Sequence, residues 1–390
     1  MVGDVPLVCA VCVHDVNLRV AVAHGLKRDA DTVRDQVGSQ STSGWLVRRA
    51  IRRPTRNRWE SSVHVRQRAV AGGCACAIWL GVLATACYAK ALPTAGLLFA
   101  SDRNGRFDIV VTTVGGKDLR ALTRGDADDF YPAWSPDGEF FAYASDWGGN
   151  FDLWVAEADG SDPRQITRDP SLDWAPAWSP DGRRLAFVSE RDGGRDLYII
   201  ELSSRRVERI TRDPELWKGP PAWSPDGRRL AFDAYPRKGR GGWDIYIVDA
   251  DGADRQRIID MPLVAALPTW SRDGRSLLFV TSEVGVGSDI FRADADGNGP
   301  QNLTQDTDVN TDPEPLTAPD AFAFMSNRDS APFQYDIHVL SKEAGIRTNI
   351  TEHPSSNASP SWFDPAFPVP AREAALATWG WLRQLQGVGR

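Results

Sequence analysis

Three short segments place aromatic rings beside charged side chains, a combination that suits the binding of a peptide or a sugar. Tyr131, Trp174 and Trp217 precede a recurring tryptophan by 3, 4 and 6 residues, so they do not keep a common register. Residues that pack inside a repeat should keep their register, whereas residues of the loops that connect the repeats need not. We expect a binding site here, with the alternative that the rings fold onto their own repeat units. The candidate residues are Asp129, Tyr131, Asp173, Trp174, Trp217 and Lys218.

Residues with the spacing of metal sites stand alone in this sequence. Cys9-Ala-Val-Cys12 has the spacing of zinc and redox sites, but no second pair accompanies it. Asp294-Ala-Asp296 begins like a calcium loop, yet Gln305 stands where such a loop needs glutamate. We therefore predict no metal and no cofactor.

The sequence offers few residues for catalysis by histidine or serine. His338 and His353 are the two histidines after residue 95, and we expect both at the surface. A serine hydrolase needs a G-x-S-x-G elbow, which Gly38-Ser-Gln-Ser41 does not match. The protein is therefore predicted not to be an enzyme. The alternative is a carbohydrate- or peptide-degrading enzyme, or its accessory, that uses the carboxylates Asp129 and Asp173.

A repeated five-residue phrase indicates the elements that position these side chains. Trp-Ser-Pro-Asp-Gly begins at Trp134, Trp178 and Trp223, and Trp-Ser-Arg-Asp-Gly begins at Trp270. Degenerate copies at Leu316 and Trp362 complete a series with spacings of 44, 45, 47, 46 and 46 residues. A strand-rich period of this length is typical of propeller blades. We interpret the recurring tryptophans as packing residues of the repeat; they are Trp134, Trp178, Trp223, Trp270 and Trp362.

Each period reads as four antiparallel strands, with the Ser-Pro-Asp-Gly turn after the first and a glycine-rich hairpin after the second. An aspartate begins the third strand six times. The first repeat, at Gly96, lacks a first strand, and Pro360-Ser-Trp362 is a first strand without a blade. We predict an all-β, six-bladed propeller over residues 96–365, closed by the C-terminal strand joining the N-terminal blade.

The ends of the chain differ from the repeats. Residues 1–91 carry a net charge of +7 and the remainder −14, and an acidic body argues against a nucleic-acid partner. Residues 1–68 are expected to be a disordered or spurious leader with a basic segment. Residues 69–91 are expected to be a cleaved signal, an uncleaved membrane anchor or a lipid-anchored segment. Residues 366–390 are expected to form a short helix or tail.

The recurring Trp-Ser-Pro-Asp-Gly, followed by Leu-Ala-Phe, a glycine hairpin and Asp-apolar-Tyr, resembles the TolB-like propeller repeat of the PD40 type. The resemblance covers about residues 96–365. It implies a six-bladed propeller of the bacterial periplasm that docks proteins or peptides across its channel face. We expect an exported, monomeric, non-catalytic binding protein, periplasmic or extracellular, that binds its ligand at the channel mouth. The expected partner is a protein or peptide, such as an envelope lipoprotein or a cell-wall component. Residues 69–89 would provide its only membrane contact.

Overall fold

The computed structural model describes residues 96–364 except 239–241, 262–263, 284–286, 319, 331–333 and 343–344. Every regular element in that part of the chain is a β-strand. The predicted leader, signal or anchor, and C-terminal helix lie outside the described residues.

Six antiparallel sheets follow one another along the chain, and we call them blades 1 to 6. Blade 1 contains, from the inside outward, β25 (Asn357–Phe363), β1 (Gly96–Ser101), β2 (Asp108–Thr112) and β3 (Arg120–Ala121). Blade 2 contains β4 (Asp129–Trp134), β5 (Phe140–Ser145), β6 (Asp152–Glu157) and β7 (Arg164–Gln165). Blade 3 contains β8 (Asp173–Trp178), β9 (Arg184–Ser189), β10 (Asp196–Glu201) and β11 (Val207–Arg209).

The inner strand of blade 4 is interrupted, so this sheet has five strands. They are β12 (Leu216–Lys218), β13 (Ala222–Trp223), β14 (Arg229–Pro236), β15 (Asp244–Asp249) and β16 (Gln256–Ile259). Blade 5 contains β17 (Val264–Trp270), β18 (Ser276–Glu283), β19 (Gly287–Asp294) and β20 (Gln301–Asn302). Blade 6 contains β21 (Asn310–Pro315), β22 (Ala321–Ser326), β23 (Asp336–Ser341) and β24 (Ile346–Asn349).

The predicted ring closure is confirmed. Strand β25 pairs antiparallel with β1, and Leu97 lies opposite Trp362 in the register. Phe99 and Trp362 also share one buried apolar cluster with residues of blade 6. Pairing the last strand with the first removes an open sheet edge that would otherwise be available to another chain.

The Ser-Pro-Asp-Gly turn is stabilised by its own side chains. In blade 2, Ser135 Oγ donates to Asp137 Oδ1 at 2.7 Å, and the backbone N–H of Glu139 donates to the same oxygen at 3.0 Å. Gly138 has a φ of 68°, and a Cβ at this position would lie 2.3 Å from the ring of Phe363. The turn therefore recurs because its geometry depends on local hydrogen bonds and on a glycine.

The aspartate that begins each third strand also has a structural role. Thr167 Oγ1 donates to Asp152 Oδ1 at 3.0 Å and accepts the backbone N–H of Leu153 at 3.0 Å. The same arrangement joins Asp196 to Thr211. These buried pairs connect the third strand of a blade to the end of the fourth.

Candidate functional site

The inner strands of all six blades surround a central cavity of about 560 Å³. Each blade contributes the segment that leads up to its recurring tryptophan or to the equivalent position. The cavity extends to the Ser-Pro-Asp-Gly turns, where Pro136, Pro180 and Pro225 line it. Its volume lies within the usual range of ligand sites, which is about 300–1,000 Å³.

A backbone bulge recurs around this cavity. Five inner strands shift register beside a residue with positive φ that directly precedes a proline. These residues are Tyr131, Ala175, Leu267, Asp312 and Ser359. Blade 4 has Gly219-Pro-Pro221 at the corresponding place, between its two inner strands. Non-glycine residues rarely adopt positive φ, and bulges of this kind re-aim side chains next to functional sites.

The cavity wall has two chemically different halves. Blades 2 to 4 contribute prolines, alanines, tryptophans and Tyr131. Blades 5, 6 and 1 contribute apolar residues as well, but they also supply the polar and charged side chains, which are Thr269, Arg272, Asp312, Glu314, Ser359 and Ser361. A ligand in this cavity would therefore meet an apolar face on one side and hydrogen-bonding groups on the other.

The polar half is ordered by hydrogen bonds between neighbouring blades. The backbone N–H of Trp362 donates to Glu314 Oε1 at 3.0 Å. Ser359 Oγ donates to Asp312 Oδ2 at 3.5 Å, and the backbone N–H of Trp134 donates to Ser361 Oγ at 3.2 Å. Burial raises the pKa of the Glu314 carboxyl to about 7, although the Trp362 N–H and the charge of Arg272 oppose this shift.

Replacement of Glu314 by glutamine is expected to flatten the dependence of stability on pH. Because its pKa in the folded protein lies above the ordinary value of 4.5, stability from this protonated carboxyl is present at low pH. It is lost as pH rises from about 4.5 to about 7. Glu314→Gln should therefore unfold at a higher denaturant concentration than wild type at pH 8, with little difference at pH 4.5.

Denaturant unfolding of both proteins at the two pH values measures this effect. Glu352→Gln provides the matched control, because Glu352 is an exposed glutamate outside the cavity. Equal pH dependence in wild type and Glu314→Gln would contradict the raised pKa of Glu314.

Among the six sequence-predicted site residues, Tyr131 lines the cavity. Trp174 lies behind it and is 6% exposed, with 5.4 Å between the two ring centroids. The guanidinium carbon of Arg195 is 5.9 Å from the Trp174 ring centroid and 4.6 Å from that of Trp217. The three predicted aromatic residues thus form one group of contacting side chains across blades 2 to 4. Arg195, which the sequence analysis did not select, connects Trp174 to Trp217.

The two predicted carboxylates begin the inner strands β4 and β8 and are buried. Both oxygens of Asp173 accept hydrogen bonds from Arg191 Nη2, at 3.0 and 2.9 Å. Burial raises the pKa of Asp173, and it raises that of Asp129 to about 6. Hydrogen bonds from Ser145 and Thr123 oppose the shift at Asp129. Neither carboxylate lines the cavity.

Lys218 is also buried, with 1% of its surface exposed. Its ammonium group contacts Asp196 Oδ1 at 2.9 Å and donates to the Leu216 carbonyl at 2.6 Å and to the Asp213 carbonyl. Burial lowers the pKa of Lys218, and Asp196 opposes that shift. These contacts hold the start of blade 4 against blade 3. A ligand contact by any of the six residues stays a prediction.

Sequence reasoning did not select Arg272 and Glu314, although both line the cavity. One signal was available, because Arg272 replaces the proline of the repeated phrase. Asp312 had a similar signal, since it occupies the place of Tyr131 in its repeat and directly precedes a proline. The position of Glu314 inside the channel follows only from ring closure.

The structure corrects one expectation about histidine. His338 is 1% exposed, so the prediction of a surface position was wrong. Its Nδ1 accepts a hydrogen bond from Arg347 Nε at 3.2 Å, and burial lowers its pKa to about 4. His353 is exposed as predicted. Among the described residues, no three histidine, cysteine, aspartate or glutamate side chains are grouped to hold a metal ion.

The recurring tryptophans pack between blades. Each is buried to at least nine-tenths, and its indole N–H donates to the preceding blade of the ring. Trp178 donates to the Ala133 carbonyl at 3.0 Å, and Trp223 donates to the Ala177 carbonyl at 3.2 Å. In blade 6 the register places Pro315, not Leu316, where the tryptophan stands elsewhere, because Pro315 lies opposite Phe322. Leu316 takes the place of the turn serine.

The protein is a six-bladed β-propeller, because its six antiparallel sheets form a closed ring whose inner strands line a central channel. The TolB beta propeller domain model, PD40, matches residues 166–232 and 215–365, which together make up more than half of the chain. The chain therefore belongs to this family. A search of curated proteins produced no match.

Solved structures with the same fold include two TolB proteins. TolB from Acinetobacter baumannii has 20% identity and a TM-score of 0.60, and the match covers 69% of this chain and 66% of that one. The putative TolB from Agrobacterium tumefaciens has 17% identity, a TM-score of 0.54, and coverage of 69% and 98%. Kuenenia stuttgartiensis hydrazine synthase has 17% identity, a TM-score of 0.58, and coverage of 69% and 46%.

The present chain thus spans just under two thirds of the Acinetobacter protein. At these identities the likeness concerns the fold. The described residues contain no helix with the length and apolar character needed to cross a bilayer.

Proposed function

We propose that this protein is an exported, non-catalytic propeller that binds a protein or peptide in its central channel. The observation that carries the proposal is the cavity of about 560 Å³, to which every blade contributes. Rigid inner strands and prolines form its wall, so little conformational entropy is lost when a ligand binds.

The two halves of the wall suit a peptide. Prolines and Tyr131 on blades 2 to 4 offer flat apolar surfaces, and aromatic-lined grooves are known to hold extended peptides. Asp312, Glu314 and Arg272 on the opposite side offer groups that pair with backbone amides or with charged side chains. Asp129, Asp173 and Lys218 would support this site from behind by holding the inner strands, and Trp174 would support the ring of Tyr131.

The chain's own features support export. A basic segment precedes the uncharged stretch 69–89, as in secretory signals and in anchors with a cytoplasmic N-terminus. The proposed location is the periplasm or the extracellular space. The proposed partner is an envelope lipoprotein or a cell-wall component, bound by a monomer.

Replacement of Tyr131 by alanine is expected to weaken ligand capture. Purified residues 92–390, used as bait with an envelope extract, should retain a partner that Tyr131→Ala and Asp312→Asn lose. The reason is that Tyr131→Ala removes an aromatic ring and Asp312→Asn removes a negative charge, and the two residues line opposite halves of the cavity. Quantitative mass spectrometry of the retained proteins provides the measurement.

Trp147→Ala is the matched control, because Trp147 is an aromatic residue with 65% of its surface exposed that does not line the cavity. Its capture profile should equal that of wild type. If Tyr131→Ala and Asp312→Asn retain the same proteins as wild type, the partner does not bind in the channel.

One observation favours the enzyme alternative, a carbohydrate- or peptide-degrading activity based on channel carboxylates. Glu314 lines the cavity with a pKa of about 7, which suits a general acid or base near neutral pH. Asp129 and Asp173, the carboxylates that this alternative first selected, do not line the cavity. Turnover of oligosaccharides or peptides by wild type, and its loss in Glu314→Gln, would support an enzyme.

A further inference from the structure

Five of the six blade junctions hold an indole ring. The indole N–H donates across the junction to the preceding blade in Trp134, Trp178, Trp223, Trp270 and Trp362. The junction between blades 5 and 6 differs, because Pro315 stands in the tryptophan position of β21. The junction between blades 5 and 6 therefore lacks the bulky aromatic side chain that is present at the other five junctions.

A cavity of about 260 Å³ occupies this junction. In blades 2 and 3, Trp178 packs in one cluster with Phe140, Ala142, Ile166, Leu185 and Leu202. The strand registers show which residues of blades 5 and 6 occupy the same positions as these five neighbours of Trp178, and all of them line the cavity. In the same order, they are Ser276, Leu278, Leu303, Phe322 and Lys342. The cavity is thus the space that the indole fills at the other junctions.

The walls are apolar at the centre and charged at the rim. Leu278, Leu303 and Phe322 provide apolar surface, and Pro315 and Leu316 complete it. A second difference adds to the missing indole, because Ser276 replaces the large ring that Phe140 supplies between blades 2 and 3. An apolar cavity of about 150 Å³ accepts a benzene ring, so this larger space suits a fused bicyclic ring.

The charged rim favours an anionic substituent on that ring. Arg272, Arg292 and Lys342 line the cavity together with Asp273 and Asp320. Asp273 is engaged within its own turn, where Ser271 Oγ donates to it at 2.7 Å and the Arg275 N–H at 3.1 Å. Asp320 is paired with Arg292 at 3.0 Å. The three cations that line the cavity therefore exceed the two carboxylates by one positive charge, and Arg272 and Lys342 are the cations outside the Arg292–Asp320 pair.

We propose that the junction between blades 5 and 6 binds a small planar aromatic acid, whose fused ring takes the place of the missing tryptophan and whose carboxylate meets Arg272 and Lys342. This site is separate from the central channel and does not depend on the function proposed for it. Arg272 lines both cavities, so it is the residue through which one site would influence the other.

Isothermal titration of the purified protein with indole-3-acetate tests the proposal. Wild type should bind with one-to-one stoichiometry. Pro315→Trp should weaken binding by more than about tenfold, because the protein's own indole then fills the cavity. Tyr131→Ala should bind as wild type, since Tyr131 lines the channel and not this junction. Loss of binding in Tyr131→Ala would overturn the assignment to the junction.

A second variant fills the cavity from the opposite wall. Ser276→Phe restores the ring found at Phe140 in blade 2, and it should also abolish binding. Lys342→Met should weaken the binding of indole-3-acetate more than the binding of uncharged indole. The substitution removes the positive charge and keeps an apolar side chain of similar length. Absence of binding by wild type, or undiminished binding in a folded Pro315→Trp or Ser276→Phe protein, would overturn the proposal.

Discussion

Replacement of Trp178 by alanine is expected to lower the free energy of unfolding by about 3–5 kcal/mol, the usual cost of removing a large buried aromatic side chain. Trp178 is 8% exposed and packs in the cluster between blades 2 and 3. Its loss also leaves the Ala133 carbonyl without the indole N–H that donates to it at 3.0 Å. Because each blade contacts its neighbours, the damage at one junction should lower the stability of the whole ring.

Chemical denaturation of wild type and variants measures this prediction. Trp147→Ala serves as the control, because an exposed aromatic residue removed from the surface usually changes stability by less than about 0.5 kcal/mol. Trp178→Phe should fall between wild type and Trp178→Ala, since it keeps an aromatic ring but not the N–H. A Trp178→Ala protein as stable as Trp147→Ala would contradict a packing role for the recurring tryptophans.

Deletion of residues 358–390 is expected to give an insoluble or oligomeric product. The deletion removes all but the first residue of β25, which pairs with β1 and contributes Trp362 to the cluster at the junction of blades 6 and 1. Strand β1, whose six residues are all buried in the intact ring, would become an exposed edge. Such an edge pairs readily with other chains.

A shorter deletion separates the strand from the tail. Removal of residues 366–390 keeps β25 intact and should leave a soluble monomer that unfolds cooperatively. Size-exclusion chromatography with light scattering distinguishes the two products. A monomeric, cooperatively folded protein lacking residues 358–390 would show that ring closure is not required for the fold.

The two cavities arise from different properties of the repeat. The inner strands of all six blades line the channel, five of them with the same bulge, and its chemical asymmetry comes from residues that vary between repeats. The junction cavity exists because one repeat has lost its tryptophan while its neighbours keep theirs. Binding residues in a repeat protein are thus best sought where a repeat departs from its consensus. Arg272, which replaces a consensus proline, lies at both cavities.

Local patterns predicted the architecture well. The recurring turn, the aspartates that begin the third strands and the tryptophan spacing indicated the blades, and the unpaired ends at Gly96 and Trp362 indicated closure. These features depend on hydrogen bonds and packing that repeat with the chain, as the Ser135–Asp137 turn shows. A one-residue shift placed Leu316 in the tryptophan position, because sequence spacing does not show which residue of β21 lies opposite Phe322.

The residues of the candidate site could be predicted from the sequence only in part. Asp129, Asp173 and Lys218 have the charge expected of ligand contacts, but their burial depends on how neighbouring blades cover them. Tyr131 lines the cavity because the bulge before Pro132 turns its backbone to a φ of 52°. Glu314 and Ser361 are far apart in sequence from the residues they face, so only the closed ring brings them together.

The amino-acid sequence by itself determined the number of blades, the strand order and the closure of the ring, because periodic turns and buried positions are encoded within each repeat. The tertiary structure decided which side chains reach the channel and where the missing indole leaves a cavity. Both depend on the distance and angle between neighbouring blades, which no single repeat specifies.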